Sequence, residues 1–180
     1  MIITGGREDF SLFSRPKKMT AAILLTEQGT WMDIPDLPGN GRWGHACASI
    51  QHPLGEGEDG GPGRGFRVVV AGGSSSDASI YPLEDTVDVL DFLRPAQPWA
   101  WRRLSGRMTK PRFGAVMVSL PNPCTGKDRV FILGGRDNEI LNSTEEFNTR
   151  LETWSSAKPL GIKKMYFAAV AVASNLLHGC

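Results

Sequence analysis

The carboxylates, histidines and cysteines are the side chains that could carry chemistry in this sequence. Five acids lie in two short segments, where paired carboxylates could serve acid–base catalysis: Asp85, Asp88, Asp91, Glu145 and Glu146. Two further residue types could bind metals: His45, His52 and His178, with Cys47, Cys124 and Cys180. Neither set has the spacing of a metal site, and no nucleophile elbow, HExxH helix or Ser-Lys pair occurs. The sequence therefore predicts no catalytic residue, no metal and no cofactor.

Composition argues against charged partners. The 180 residues carry a formal net charge of +1, with 41% hydrophobic and 22% charged residues, values that are ordinary for a globular protein. The charges are mixed in sign, so they create no long-range field for nucleic acid or an anionic membrane. The longest apolar runs, Ala21–Leu25 and Phe167–Ala173, are too short to span a bilayer. We expect a cytoplasmic protein, with the nucleus as the alternative, that binds neither nucleic acid nor membrane.

Glycine pairs are the clearest repeated feature of the chain. Three apolar runs each end in such a pair, formed by Gly5 and Gly6, by Gly72 and Gly73, and by Gly134 and Gly135. Glycine has no Cβ, so it tolerates positive φ and allows neighbouring chains to approach closely. A phosphate-binding loop would need a GxGxxG or GxxxxGK[ST] pattern, and neither occurs. We interpret the pairs as structural.

Two further features follow each glycine pair in the same order. The segments Asp85–Asp91 and Ser143–Asn148 alternate polar and apolar residues, which is the period of a half-buried strand. Their acidic side chains are therefore predicted to face solvent. An indole comes next in each unit, Trp31, Trp101 and Trp154, and we interpret these recurring residues as core.

The order of these features resembles the kelch repeat. In that repeat an Arg-led first strand precedes an apolar second strand closed by Gly-Gly, an alternating third strand and a Trp in the fourth. The unit has about 50 residues and forms one four-stranded propeller blade. The resemblance implies an all-β, kelch-type β-propeller, incomplete, with about three four-stranded blades. The units are approximately 1–37 (partial), 38–107, 108–160 and 161–180 (partial).

The outer units are predicted to be partial. Met1–Gly6 matches a second strand, and Tyr166–Val172 matches a first strand. Closed propellers need about four to eight blades. We therefore expect a fragment of a larger propeller, with assembly of further copies or an open arc as the alternatives.

One long segment departs from the repeat. Gln51–Gly65 is rich in glycine, proline and acid, and it has almost nothing to bury. We expect a flexible insert between two strands of one blade.

The resemblance implies a protein-interaction module, a scaffold or adaptor that presents loops to a protein partner. The candidate loops are Arg7–Arg15, Ser74–Tyr81, Arg94–Trp99 and Arg136–Glu139. The candidate partner-binding residues are Arg7, Arg42, Ser75, Tyr81, Arg94, Trp99, Arg112 and Arg136. A kelch enzyme similar to galactose oxidase, or a sugar-binding propeller, is the alternative.

Two of these arginines have a competing structural interpretation. Arg42 and Arg112 each head an apolar run, where a guanidinium can bond backbone carbonyls and carboxylates of its own blade. We favour that interpretation. A lone histidine in such a run, His45, is likewise more often structural than a ligand.

Overall fold

The computed structural model describes residues 2–3, 21–25, 29–39, 42–51, 65–75, 82–92, 98–121 and 128–172. These residues form eleven β-strands in three antiparallel sheets. The first sheet has the order β1 (Ile2–Ile3), β2 (Ala21–Leu25) and β3 (Thr30–Ile34). None of the described segments is helical, so none supplies a helix long and apolar enough to cross a bilayer.

The second and third sheets each have four strands in sequential order. The second sheet contains β4 (Ala46–Gln51), β5 (Phe66–Ala71), β6 (Val87–Phe92) and β7 (Trp101–Arg103). The third contains β8 (Val116–Pro121), β9 (Asp128–Leu133), β10 (Thr144–Asn148) and β11 (Thr153–Ala157). Four-stranded antiparallel meanders of this kind are the blades of a propeller, so the expected all-β fold class is confirmed.

The second sheet is buried on both faces. In β5, Val68 and Val70 point to one face and Val69 points to the other, and all three are almost inaccessible to solvent. A strand that is buried on both faces can be apolar throughout, instead of alternating polar and apolar residues. The second sheet is therefore a central layer with a neighbour on each side.

The second and third sheets share one hydrophobic core. Its buried residues are Ala46, Ile50, Val69, Ala71, Val87, Val89, Leu104 and Met108 from the second unit, and Met117, Val130, Ile132 and Phe147 from the third. Because both units contribute, neither sheet would bury this face alone.

The other face of the second sheet packs against the first unit. Ile34 and Leu37 join Val68, Val70, Leu90 and Phe92 in a second buried cluster. Trp101 Nε1 also donates a hydrogen bond to the Pro35 carbonyl at 2.6 Å. The three sheets are thus layered in chain order.

Two sequence predictions about strands have different outcomes. The segment Tyr166–Val172 was predicted to be a first strand, and this is wrong for the structure because none of its residues belongs to one of the three described sheets. The insert does join two paired strands of one sheet, β4 and β5, as expected. Residues 52–64 of the insert lie outside the described residues.

Candidate interaction surface

Arg42 lies inside the second sheet, where it joins three strands. Its Nη1 donates to the carbonyls of Gly72 and Thr86, at 3.1 Å in each case. Its Nη2 donates to Thr86 Oγ1 at 2.8 Å and to Asp88 Oδ2 at 2.6 Å. Arg42 and Asp88 are 2% and 0% exposed, so this ion pair is fully buried. It fixes the end of β5 to the start of β6.

Arg112 repeats the same arrangement in the third sheet. Its Nη1 donates to the carbonyls of Gly134 at 2.9 Å and Ser143 at 3.1 Å. Its Nη2 lies 3.3 Å from Ser143 Oγ and 2.5 Å from Glu145 Oε1. In each unit, three groups thus surround one buried guanidinium. They are a glycine carbonyl, a serine or threonine, and a carboxylate two positions after that serine or threonine. The structural interpretation of both arginines is confirmed.

These buried pairs correct two sequence predictions. Arg42 and Arg112 were included among the partner-binding residues, but their side chains are enclosed by their own blades and present no surface to a partner. Asp88 and Glu145 were predicted to face solvent, but they are 0% and 1% exposed. The alternating pattern misled here because each carboxylate lies on a sheet face that a neighbouring unit covers, and a carboxylate paired with an arginine can be buried there.

Desolvation and ion pairing shift the pKa of Arg42 in opposite directions. Burial lowers the pKa of its guanidinium, while the charges of Asp88 and Glu84 oppose that decrease. Asp88 accepts further bonds from the half-exposed Arg103, with Nε to Oδ1 at 3.0 Å and Nη2 to Oδ2 at 3.2 Å. The carboxylate is therefore fully occupied by structural contacts and is unsuited to acid–base chemistry.

The glycine pairs bring adjacent units into contact. Gly72 has φ +73°, and a Cβ at this position would lie 2.4 Å from the Arg112 carbonyl. Gly134 has φ +56°, and a Cβ there would lie 2.5 Å from the Lys164 carbonyl. The neighbouring backbone occupies the space where a side chain would begin, so the structural role expected for these two pairs is confirmed. Gly5 and Gly6 lie outside the described residues.

The three recurring tryptophans do not have equal environments. Trp154 packs against the shared core with its ring 4.9 Å from Phe147, and Trp101 packs against the cluster at the first unit. Trp31 is 48% exposed, so its assignment as core is wrong. The sheet that contains Trp31 has only one neighbouring sheet among the described residues, and Trp31 lies on the exposed side of β3.

The remaining candidate partner residues also differ in exposure. Trp99 is half-buried with its ring 4.7 Å from Phe92, so it packs inward rather than facing a partner as expected. Ser75 is half-buried and donates to Glu84 Oε1 at 2.8 Å. Arg136 is exposed in the loop that follows Gly135. Arg7, Tyr81 and Arg94 lie outside the described residues.

The loop that contains Arg136 is short and well anchored. Arg136 and Ile140 form an antiparallel bridge, and the Asp137 amide donates to the Glu139 carbonyl at 3.0 Å. The Leu141 amide donates to the Gly135 carbonyl at 2.8 Å, which closes the hairpin onto the glycine pair. The loop is therefore held in one shape by backbone bonds.

The loop also contacts the connection that leaves the third sheet. Lys163 Nζ forms an ion pair with Glu139, and the Lys164 amide donates to the Leu141 carbonyl at 3.0 Å. Each partner of that ion pair has an exposed apolar neighbour in the chain. Ile140, which follows Glu139, is 41% exposed, and Ile162, which precedes Lys163, is 61% exposed. We call this set the loop surface: Arg136, Asn138, Glu139, Ile140, Ile162 and Lys163. Sequence reasoning missed Ile162 and Lys163 because only the fold brings their connection beside the hairpin.

An ionic contact ties the second and third sheets together away from the loop surface. Glu152 receives bonds from Arg102 at 2.6 and 2.8 Å and from Arg67 Nη1 at 3.0 Å. Arg67 also donates to both Asp91 oxygens, at 2.6 and 3.0 Å. Glu152 has φ +55°, an unusual conformation for a residue other than glycine. The hydrogen bond from Arg102 lowers the pKa of the Glu152 carboxyl, and the charges of Arg102 and Arg67 act in the same direction.

Comparison with known families agrees with this geometry. Residues 117–161 match the family model of the Kelch motif, a span that contains nearly all of the third sheet. The resemblance to the kelch-repeat family is thereby confirmed over the third sheet, and the second sheet has the same strand order and the same buried-arginine arrangement. A search of curated proteins found no match. Among the described residues, no group of three or more His, Cys, Asp or Glu side chains is arranged to hold a metal ion.

Proposed function

We propose that this kelch-repeat chain is a non-catalytic scaffold or adaptor that binds a protein partner through the loop surface. The observation that supports the proposal most strongly is the anchored 136–140 hairpin, which carries exposed apolar and charged side chains on a rigid sheet. Recognition residues are commonly placed on loops that a rigid scaffold positions. Exposed aliphatic side chains with charges around them suit a protein surface, because apolar contact and ion pairs then act together.

The internal contacts of the blades also support a non-catalytic role. Asp88 and Glu145 are enclosed in ion pairs, and the half-buried Glu146 accepts both its bonds from Arg129. These acids were the strongest candidates for acid–base chemistry in the sequence. Their occupation by arginines gives them a role in stability.

Quantitative affinity capture with two matched variants tests this proposal. Ile140→Asp alters the loop surface, and Leu151→Asp alters an apolar residue of 68% exposure in the turn between β10 and β11. We expect a specific partner to be lost with Ile140→Asp and retained with Leu151→Asp, while both variants keep the thermal unfolding transition of the parent protein. Equal retention by both variants would refute the assigned surface.

The proposed setting is the cytoplasm, with the nucleus as the alternative. Three widely spaced cysteines without a pairing pattern support a reducing compartment. Fractionation of cells that express the chain tests this part of the proposal, and recovery in the secretory pathway would contradict it.

A further inference from the structure

Exposed cations are concentrated around the 136–140 hairpin. One of them belongs to the hairpin, and three lie on the connections that lead into and out of the third sheet: Arg136, Lys110, Lys163 and Lys164. The whole chain has a formal net charge of only +1, so this group is a local excess of positive charge.

Backbone bonds hold these connections against the hairpin. The Arg136 amide and carbonyl both bond Phe113, three residues after Lys110, at 2.8 and 2.9 Å. On the other side, the Gly135 amide donates to the Lys164 carbonyl at 2.8 Å. The main chain therefore sets the relative positions of the cations, and it does so without help from their side chains.

Most of this positive charge has no carboxylate partner. Lys163 forms an ion pair with Glu139, whereas no carboxylate among the described residues pairs with Lys110, Arg136 or Lys164. Several arginines elsewhere in the second and third sheets do have such partners: Arg67 with Asp91 and Glu152, Arg102 with Glu152, Arg103 with Asp88, Arg107 with Asp85, and Arg129 with Glu146. The hairpin cations are thus available to an anion from another molecule.

Glu139 is the exposed carboxylate within this group. The hydrogen bond and the charge of Lys163 lower the pKa of the Glu139 carboxyl, and the charge of Lys110 acts in the same direction. The side chains of Glu139 and Lys163 are 68% and 55% exposed, and an ion pair in that setting contributes little to stability. Lys163 can therefore exchange Glu139 for another carboxylate at little cost. The other acid of the hairpin, Asp137, is half-buried.

Aliphatic side chains accompany the cations. The exposed Ile140 and Ile162 are the chain neighbours of the two residues in the ion pair. An aliphatic group offers nothing to a phosphate, and phosphates receive most contacts in nucleic-acid complexes. A polypeptide can supply both an aliphatic side chain and carboxylates within a few residues. The combination therefore favours a polypeptide ligand over a nucleic acid.

We propose that the loop surface binds an acidic segment of the partner protein, in which carboxylates flank an aliphatic side chain. The aliphatic side chain contacts the two isoleucines, and the carboxylates pair with the exposed cations. One carboxylate replaces Glu139 at Lys163, so Glu139 occupies the position of a partner carboxylate until the partner binds. This inference rests on the proposed function of the loop surface and adds the chemistry of the partner.

Selection of displayed random peptides on the full chain is the first test. It should enrich sequences in which at least two carboxylates lie within a few residues of an aliphatic side chain. Enrichment of neutral or basic sequences would overturn the acidic partner, and so would repeated selections that enrich nothing. If the neutral peptides lose binding to Ile140→Asp, the proposed function stands without this inference. Acidic peptides that bind Ile140→Asp as tightly as the parent would refute the loop surface itself.

Fluorescence anisotropy with the most enriched acidic peptide tests the role of Glu139. Glu139→Gln should bind this peptide about two- to fivefold more tightly than the parent, because the substitution releases Lys163 and removes a like charge. Lys110→Gln should weaken binding by a similar factor. The matched control is Arg150→Gln, which removes an exposed cation from the turn at the other end of β10 and should leave the affinity unchanged.

Thermal unfolding serves as the control for structure in these variants. Glu139→Gln should keep the parent transition, because backbone bonds close the hairpin. If this folded variant bound the peptide no more tightly than the parent, the proposal would be overturned.

Competition separates an acidic peptide from polyanions in general. Replacing the aliphatic residue of the peptide with serine should weaken its binding, since the contact with the isoleucines is lost. A single-stranded oligothymidylate should displace the labelled peptide only at higher concentrations than the unlabelled peptide does. Displacement by the oligonucleotide at equal or lower concentrations would contradict a site for polypeptide.

Discussion

The buried arginine pairs are the residues on which each blade most depends. A buried guanidinium carries a high desolvation cost, which is offset when a carboxylate and several carbonyl or hydroxyl oxygens surround it. Arg112 has one such carboxylate, and the equivalent Arg42 has another. Removal of the carboxylate would leave the positive charge in an apolar sheet without its counter-ion.

Glu145 and the adjacent Glu146 provide a matched test of this dependence. Glu145→Gln should lower the free energy of unfolding by about 3–5 kcal/mol, because Arg112 stays buried without a counter-ion. Glu146→Gln should lower it by less than about 1 kcal/mol, because its partner Arg129 is 49% exposed. Denaturant unfolding of both variants measures the difference. Equal effects would contradict the role assigned to the buried pair.

The lowered pKa of Glu152 predicts how the stability of the contact between the second and third sheets responds to pH. Its folded pKa is lowered from the ordinary value of 4.5, so its contribution is complete above that value and is lost as pH falls through the lowered pKa. Glu152→Gln removes the contribution. The stability difference between the parent and this variant should therefore shrink between about pH 6 and pH 3, as measured by urea unfolding. A difference that stays constant over this range would contradict the assignment.

At the scale of the strand ends, the glycine pairs set how closely adjacent units approach. Gly72 and Gly29 both have positive φ, at 73° and 64°, but only Gly72 has a neighbouring backbone where a Cβ would lie. Gly29→Ala should lower the free energy of unfolding by about 1–2 kcal/mol, because alanine is strained at this positive φ. Gly72→Ala should lower the free energy of unfolding by more than Gly29→Ala does, because the Arg112 carbonyl must also move. Thermal unfolding compares the two, and a smaller loss for Gly72→Ala would contradict the close approach.

The strands and their order were predictable from the sequence because their signals are local. Apolar runs that end in glycine pairs became β5 and β9, and the alternating runs became β6 and β10. The burial of Asp88 was not predictable from alternation, because alternation does not reveal a second sheet on the polar face. The exposure of Trp31 and the lack of a strand assignment for residues 167–172 also depend on which described sheets lie alongside.

The loop surface was predictable only in part, for the same reason. Arg136 follows a glycine pair, and this position indicates an exposed loop. Ile162 and Lys163 belong to a different connection, and their proximity depends on the hydrogen bonds between the two segments. No local pattern in the sequence encodes that contact.

At the scale of the whole molecule, the second and third sheets are stabilised as one body. They share a buried cluster, and Glu152 of the third unit bonds Arg67 and Arg102 of the second. A sheet separated from its neighbour would expose Val89 on one side and Ile132 on the other, and both are at most 1% exposed here. Neither sheet is therefore expected to stay folded without the other.

Native-state hydrogen exchange tests this packing of the two blades most directly. The slowest amides should lie in β5, β6, β9 and β10, which are hydrogen-bonded on both sides, and they should share one free energy of opening. Glu145→Gln should lower that shared value in both sheets, although the substitution lies in only one of them. Two separate opening energies, or protection of one sheet without the other, would contradict a pair of blades built on a common core.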